Sequence, residues 1–142
     1  PYKANQVMIQ LKAGEAWILF LENKKQDALQ QMNIAAAMED QTEKSPVTPG
    51  EVLPARELLA DMLMSLNRPA EALDAYRADL EKHPNRFNGL FGAGLACEKS
   101  QQPDSAAYYY RQLLSQASST GMGRPELDLA KSFLDKYKTG HR

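Results

Sequence analysis

The side chains best suited to metal binding or catalysis are few and widely separated in this sequence. Cys97 is the single cysteine, and the two histidines, His83 and His141, lie far apart along the chain. A structural zinc site needs four such ligands at short spacings, and a nucleophilic cysteine needs a neighbouring base. Neither pattern occurs along the chain. We therefore predict no metal site, no cofactor and no catalytic centre.

Two further motifs raise the possibility of nucleotide binding, but their surroundings oppose it. Gly92-Ala93-Gly94 falls inside a predicted helix, whereas a phosphate-binding loop follows a strand. The run Tyr108-Tyr109-Tyr110 could stack on bases, but the chain carries 17 basic and 18 acidic residues and a net charge of −1. Nucleic-acid affinity comes mainly from basic side chains on phosphates. We therefore expect no nucleic-acid partner and assign the tyrosines to packing.

The composition is that of an ordinary globular domain. The chain has 142 residues, 43% of them hydrophobic and 25% charged, which is enough to form one core. Its longest apolar run, Trp17–Leu21, is far shorter than a membrane span, so we expect no membrane insertion. The chain starts with proline rather than methionine, which suggests an excised or processed fragment. A cytoplasmic and a periplasmic or secreted location therefore both stay open.

Two segments of the chain repeat each other at an offset of 34 residues, with Leu66–Tyr76 aligned on Ser100–Tyr110. The matched pairs are Leu63 with Cys97, Ala60 with Gly94, Pro69 with Pro103, Ala72 with Ala106 and Tyr76 with Tyr110. Repeats of this period are typical of solenoids. Within each copy, apolar residues at helical spacing precede a polar turn, and a proline then occupies the first position of a second helix. Each copy thus predicts a helix–turn–helix unit.

A third, less regular copy precedes this pair, because Glu22–Leu29 is similar to Leu66–Leu73. Ala28 lies 44 residues before Ala72, which is one repeat plus ten residues. We place those ten in an inserted loop at 43–52, where prolines and a glycine cluster. An amphipathic segment at 125–137 predicts a final helix that caps the open end. The predicted fold is an all-α solenoid of about seven helices in one domain, 1–142, with units at about 9–42, 53–86 and 87–120.

Small and aromatic residues in the repeats suggest how the helices pack. We expect small side chains where two helices cross closely, and tyrosines in the space between successive helix pairs. Proline ends the second helix of its unit. The residues assigned to these roles are Ala28, Ala60, Ala72, Gly94 and Ala106 for crossings, Tyr76 and Tyr110 for filling, and Pro84 for termination.

These residues resemble the tetratricopeptide repeat family. One copy supplies Leu59-Ala60, Leu63, Asn67, Ala72, Tyr76 and Pro84, and the next supplies Leu90, Ala93-Gly94, Cys97, Ala106 and Tyr110. Asp79 and Leu113 depart from the pattern, which has a small residue at that position. Residues 48–59 and 84–88 also look like the C-terminal repeats of larger bacterial members. The resemblance implies a non-enzymatic adaptor whose first helices line a concave groove that holds a peptide or protein segment.

Inward positions of each unit follow from the resemblance. In order along the chain they are Gln10, Ala13, Trp17, Phe20, Pro54, Glu57, Asp61, Met64, Asn88, Phe91, Leu95 and Glu98. The implied surface is apolar at its ends and acidic in its middle, so an apolar or basic segment suits it best. The family's carboxylate-binding variant needs Lys, Asn and Arg at inward positions. Asn88 alone fits, and we do not expect that ligand.

Several of these assignments have an alternative interpretation. A single tryptophan on a helix commonly fills a core, so Trp17 suits packing as well as ligand contact. Glu57, Asp61 and Glu98 equally suit a solvated helix face. The alternative function is a scaffold or self-association module, or a docking module of a larger protein. A homo-oligomer is therefore a second kind of partner to consider.

Overall fold

The computed structural model describes residues 2–42, 54–117 and 124–140, and within them the chain forms seven α-helices and no strand. The helices are α1 (Tyr2–Leu21), α2 (Lys25–Thr42), α3 (Ala55–Ser65), α4 (Pro69–Lys82), α5 (Phe87–Lys99), α6 (Pro103–Ala117) and α7 (Pro125–Gly140). The prediction of an all-α solenoid of about seven helices is confirmed. The predicted loop at 43–52 lies outside the described residues. α1 begins well before residue 9, where the repeat pattern placed the first unit.

The three helix–turn–helix junctions share one backbone conformation. Asn23, Asn67 and Gln101 have positive φ angles of 67°, 61° and 59°. At the first junction, Lys24 N donates to Leu19 O at 2.9 Å, and the other two junctions have the same bond. This pattern closes a helix C-terminus as a Schellman motif. Since the left-handed residues are spaced 44 and 34 apart, like the alanines in the sequence, the irregular first copy is in register with the other two.

The helices form two layers. Each helix packs on its neighbours along the chain, and α1 with α3 and α3 with α5 also touch, while no comparable contact joins the even-numbered helices. Closer approach among α1, α3 and α5 places these three helices on the inner, concave side of the solenoid. We call the surface that α1, α3 and α5 share the inner face.

Alanine, glycine and tyrosine set the spacing between the layers. The side chains of Ala28, Ala60, Ala72 and Ala106 are fully buried, and they let helices approach closely. A β-carbon built at Gly92 would overlap the ring of Tyr76, and one at Gly94 would overlap the ring of Tyr110. The ring of Tyr76 joins one unit to the next, and that of Tyr110 packs on Gly94 of its own unit and on Phe133 of α7. Pro84 is exposed in the turn after α4.

Acidic groups of α2 hold the start of α3. Glu39 is buried, and both of its carboxylate oxygens accept a hydrogen bond from Ala55 N at 3.0 Å. A carboxylate at a helix N-terminus meets unpaired N–H groups and the positive end of the helix dipole. Asp40 pairs with Arg56 of α3 and, at 3.0 Å, with Lys82 of α4. These contacts join the first unit to the second despite the inserted residues between them.

Candidate protein-binding groove

The structure places the predicted groove residues on α1, α3 and α5 but does not leave all of them accessible. Those with at least partly accessible side chains are Gln10, Trp17, Phe20, Asp61, Met64, Asn88, Phe91, Leu95 and Glu98. Ala13 and Glu57 are buried, as is Pro54 just before α3. The assignment of Ala13 and Glu57 to a ligand-contacting surface is therefore corrected, because neither side chain reaches the inner face.

Glu57 is held inside the molecule by a guanidinium from the next unit. Its side chain is 1% exposed, and Arg86 donates to its two oxygens through Nε at 2.8 Å and Nη2 at 2.9 Å. This two-point geometry is among the strongest hydrogen-bonded ion pairs, and a buried carboxylate needs such a partner. The alternative of a solvated face at Glu57 is also wrong. No local pattern indicated this, because Arg86 lies 29 residues further along the chain.

A second buried carboxyl, Asp79 on α4, faces Glu57. Asp79 is 2% exposed, and no hydrogen-bond donor of the described residues reaches its oxygens. Burial first, and then the negative charge and acceptor oxygens of Glu57, raise the pKa of Asp79 to about 8. Asp79 therefore keeps its proton at neutral pH, and that proton lets it donate toward Glu57 instead of repelling it. Its place in the repeat, where the family has a small residue, was the one sequence signal for it.

Asp61 occupies the middle of the inner face, and hydrogen bonds from other side chains of the protein partly stabilise its charge. It accepts a hydrogen bond from Tyr76 Oη and one from Asn88 Nδ2 at 3.3 Å. Burial raises the pKa of Asp61, and the hydrogen bond from Tyr76 opposes that rise. Burial and the charge of Asp61 likewise raise the pKa of Tyr76, so its phenol stays a donor. The middle of the face is therefore polar and only moderately acidic.

Aromatic rings lie at both ends of the inner face. Trp17 and Phe20 pack edge to face with centroids 5.3 Å apart, and both stay partly accessible. At the other end, the ring of Phe91 lies 6.2 Å from that of Tyr110, which in turn lies 5.2 Å from that of Phe133 on α7. Sequence reasoning missed the continuation of this aromatic row onto α7, because α7 has no partner helix to mark its register.

A cavity of about 420 Å³ opens on the opposite side of the molecule. Its lining comes from α4, α6, the turn before α5 and α5 itself, namely Arg77, Leu80, Glu81, Pro84, Asn85, Leu90, Tyr108, Tyr109 and Gln112. Arg77 Nε donates to Tyr109 Oη at 3.1 Å. The tyrosine run is thus divided: Tyr110 is buried, Tyr109 lines the cavity, and Tyr108 is 57% exposed. The assignment to packing is right for Tyr110 and wrong for Tyr108.

The remaining residues that could take part in catalysis or metal binding lie in unreactive surroundings. Cys97 is fully buried on α5, and burial raises the pKa of its thiol, which keeps it protonated. Across the three described ranges, no cluster of three histidine, cysteine or acidic side chains could hold a metal ion. The part of the chain that the structure describes has no helix long and apolar enough to cross a membrane.

The repeated helix pairs and their shared inner face define a tetratricopeptide-like helical-repeat fold. Among solved structures, the chain is similar to PcrH from Pseudomonas aeruginosa, with a TM-score of 0.70 and 13% sequence identity over 94% of this chain and 93% of that chain. A likeness at this identity shows the fold alone. No protein-family model matches the sequence, and no curated protein matches it either.

Proposed function

We propose that this protein is a non-enzymatic binding module that holds a peptide or protein segment along its inner face. The observation that supports this most directly is the row of accessible apolar side chains there, namely Trp17, Phe20, Met64, Phe91 and Leu95. Aromatic residues and methionine are enriched in the cores of protein interfaces, and tryptophan is prominent among the residues that dominate binding energy.

The charge of the inner face favours an apolar segment with basic residues. Asp61 and Glu98 bring two carboxylates to the face, and each also accepts an internal hydrogen bond, from Tyr76 and Tyr110 respectively. The nearby cation of Arg86 is paired with Glu57, so it offsets the charge of Asp61 only in part. Complementary charge of this kind selects partners and orients them more than it adds affinity.

A peptide array followed by solution titration tests the proposal. Trp17 is the only tryptophan, so its fluorescence reports directly on a segment that covers the Trp17 end of the inner face. We expect Trp17→Ala and Phe91→Ala each to weaken binding of a selected peptide about tenfold or more, the range of central interface residues. Fluorescence anisotropy of the labelled peptide measures both variants.

Tyr108→Ala is the matched control for this titration. Tyr108 is an exposed aromatic residue on α6, away from the inner face, and its removal should leave peptide affinity unchanged. Equal binding by the wild type, Trp17→Ala and Phe91→Ala would rule out the inner face as the binding surface.

A self-association or docking module remains the second candidate, and one observation favours it. Val7, Leu11, Ile18 and Leu21 on α1 are each between 55% and 81% exposed, and large apolar patches commonly mark interaction sites. Size-exclusion chromatography with light scattering tests the self-associating form. A monomer at high protein concentration would exclude self-association and leave the docking module of a larger protein.

A further inference from the structure

The exposed apolar residues of α1 form one continuous stripe. Val7, Leu11, Gly14, Ile18 and Leu21 follow one another at steps of four and three residues, which places them on a single side of a helix. The buried residues of the same helix, Ile9, Ala13 and Ala16, lie on the opposite side. We call the stripe the outer seam of α1. It is distinct from the inner face, and the groove proposal does not depend on it.

The repeat register gives each central position of the outer seam a counterpart in the second and third units. For Leu11, Gly14 and Ile18 the counterparts are Ala55, Leu58 and Met62 on α3, and Gly89, Gly92 and Ala96 on α5. The α5 set and both Ala55 and Met62 are buried, and Leu58 is partly buried. The same positions of the repeat are therefore covered in two units and uncovered in the first.

On α5, the cover is the second helix of the preceding unit. A β-carbon at Gly89 would lie 3.0 Å from Leu80 Cδ2 of α4, and one at Gly92 would overlap the ring of Tyr76 of the same helix. Gly92 therefore forms a notch in which an aromatic ring of α4 rests. At the counterpart, Gly14, a β-carbon would meet no atom within 4 Å. The notch is repeated on α1 without a ring in it.

Head-to-tail stacking of this chain would not fill the seam. Asp128, Lys131, Asp135 and Lys136 are exposed on α7 beside the exposed apolar side chain of Leu129, so the far end of the solenoid is mainly charged, as capping elements are. A second α1 fits poorly as well. Its own seam carries no aromatic residue, and two such seams face to face would leave both Gly14 notches empty.

We propose that the outer seam of α1 docks an amphipathic helix supplied from outside these 142 residues, in the position of a preceding repeat's second helix. The docked helix carries apolar residues at steps of three and four, and an aromatic residue at its centre rests on Gly14 between Leu11 and Ile18. It takes the place on α1 that α4 takes on α5. Its required features are those of α4 around Tyr76, with a small residue in place of Leu80, because Leu11 stands on α1 where Gly89 lies against Leu80 on α5.

The test uses a labelled peptide with the sequence of residues 68–83 and the change Leu80→Ala, which makes room for Leu11. It is stapled through outward positions because an isolated helix of this length is marginal in water. We expect saturable one-to-one binding to the 142-residue protein, followed by fluorescence anisotropy. A Tyr76→Ala peptide should bind about tenfold more weakly, since it lacks the ring that fills the notch. Protein variants Ile18→Glu and Gly14→Met should lose binding, and Leu129→Glu, exposed on α7, should keep it.

Gly14→Met separates docking from folding. The new side chain enters open space, and methionine favours helix over glycine, so thermal stability should be kept or raised while binding is lost. Two results would overturn the proposal. One is equal peptide binding by wild type and Ile18→Glu, which would place the peptide elsewhere. The other is a wild-type dimer in sedimentation equilibrium that Ile18→Glu converts to monomer, which would make a second copy the occupant. Trp17→Ala and Phe91→Ala should leave this binding intact, so the groove proposal can fail separately.

Discussion

At the scale of single residues, Asp79 links the stability of the fold to pH. The pKa of this carboxyl is raised from 3.8 to about 8 by burial and by Glu57, so the folded state binds the proton more tightly than the unfolded state. Its contribution to stability is therefore fully present below about pH 4 and is lost as the pH rises through about 8. Above that pH the folded protein holds two unprotonated carboxylates in one buried site.

Asp79→Asn should remove this dependence. The amide stays neutral at every pH and can donate to Glu57, so we expect the variant to be more stable than the wild type at pH 8.5 by about 1–3 kcal/mol, the cost of an unsatisfied buried polar group. The difference should shrink toward pH 4. Urea denaturation at several pH values measures it.

Asp74→Asn is the matched control, because Asp74 is exposed on the same helix. It should follow the pH dependence of the wild type. Parallel stability curves for Asp79→Asn and the wild type between pH 4 and 8.5 would show that Asp79 does not carry a raised pKa in the folded protein.

At the scale of the helix, two glycines at the same repeat position should respond in opposite directions to the same substitution. Gly92→Ala places a methyl group against the ring of Tyr76, so either the ring or α5 must move, and we expect a loss of about 1–3 kcal/mol from overpacking. Gly14→Ala adds a methyl group in open space on α1, and we expect a gain of about 1 kcal/mol from helix propensity.

Thermal denaturation of both variants checks these opposite changes in stability. Each variant serves as the control for the other. If Gly92→Ala stabilised the protein as Gly14→Ala does, the ring of Tyr76 would not rest on Gly92 in solution. The template for the helix docked on the outer seam would then be lost as well.

The sequence allowed the helices to be predicted better than the contacts between them. The offset of 34 residues and the prolines at Pro69 and Pro103 located α4 and α6, because both signals are local. The small residue at Gly94 indicated a close approach, and the ring of Tyr110 does lie against it. Which ring fills each space could not be predicted, since that depends on the relative placement of helices.

The candidate site was predicted less well than the helices. Most of the incorrect placements involve charged side chains. Asp61, Asn88 and Glu98 are at least partly accessible on the helices of the inner face, but Glu57 is buried with Arg86. A helical pattern cannot distinguish an inward carboxylate from one that points between helices when its partner lies in another unit. Asp79 and Tyr108 show the same limit, because each takes its role from neighbours that are distant in sequence.

At the scale of the whole molecule, the two ends of the solenoid differ in character. α1 exposes an apolar stripe and α7 exposes charges. In a repeat protein, stability is close to a sum of unit and interface contributions, so a helix docked on α1 would stabilise the first unit most. The inner face is formed jointly by three units, and a segment bound along it would stabilise all of them together.

Cys97 offers a way to measure how readily the packed helices around α5 separate. It is the only thiol in the chain and is fully buried on α5, so a thiol reagent reaches it only when α5 parts from its neighbours. The rate of labelling in native buffer, divided by that of an unfolded peptide, gives the free energy of that opening. We expect it to equal the free energy of global unfolding from circular dichroism if the units open together. A much smaller free energy of opening would show that the C-terminal half of the solenoid unfolds locally without the rest.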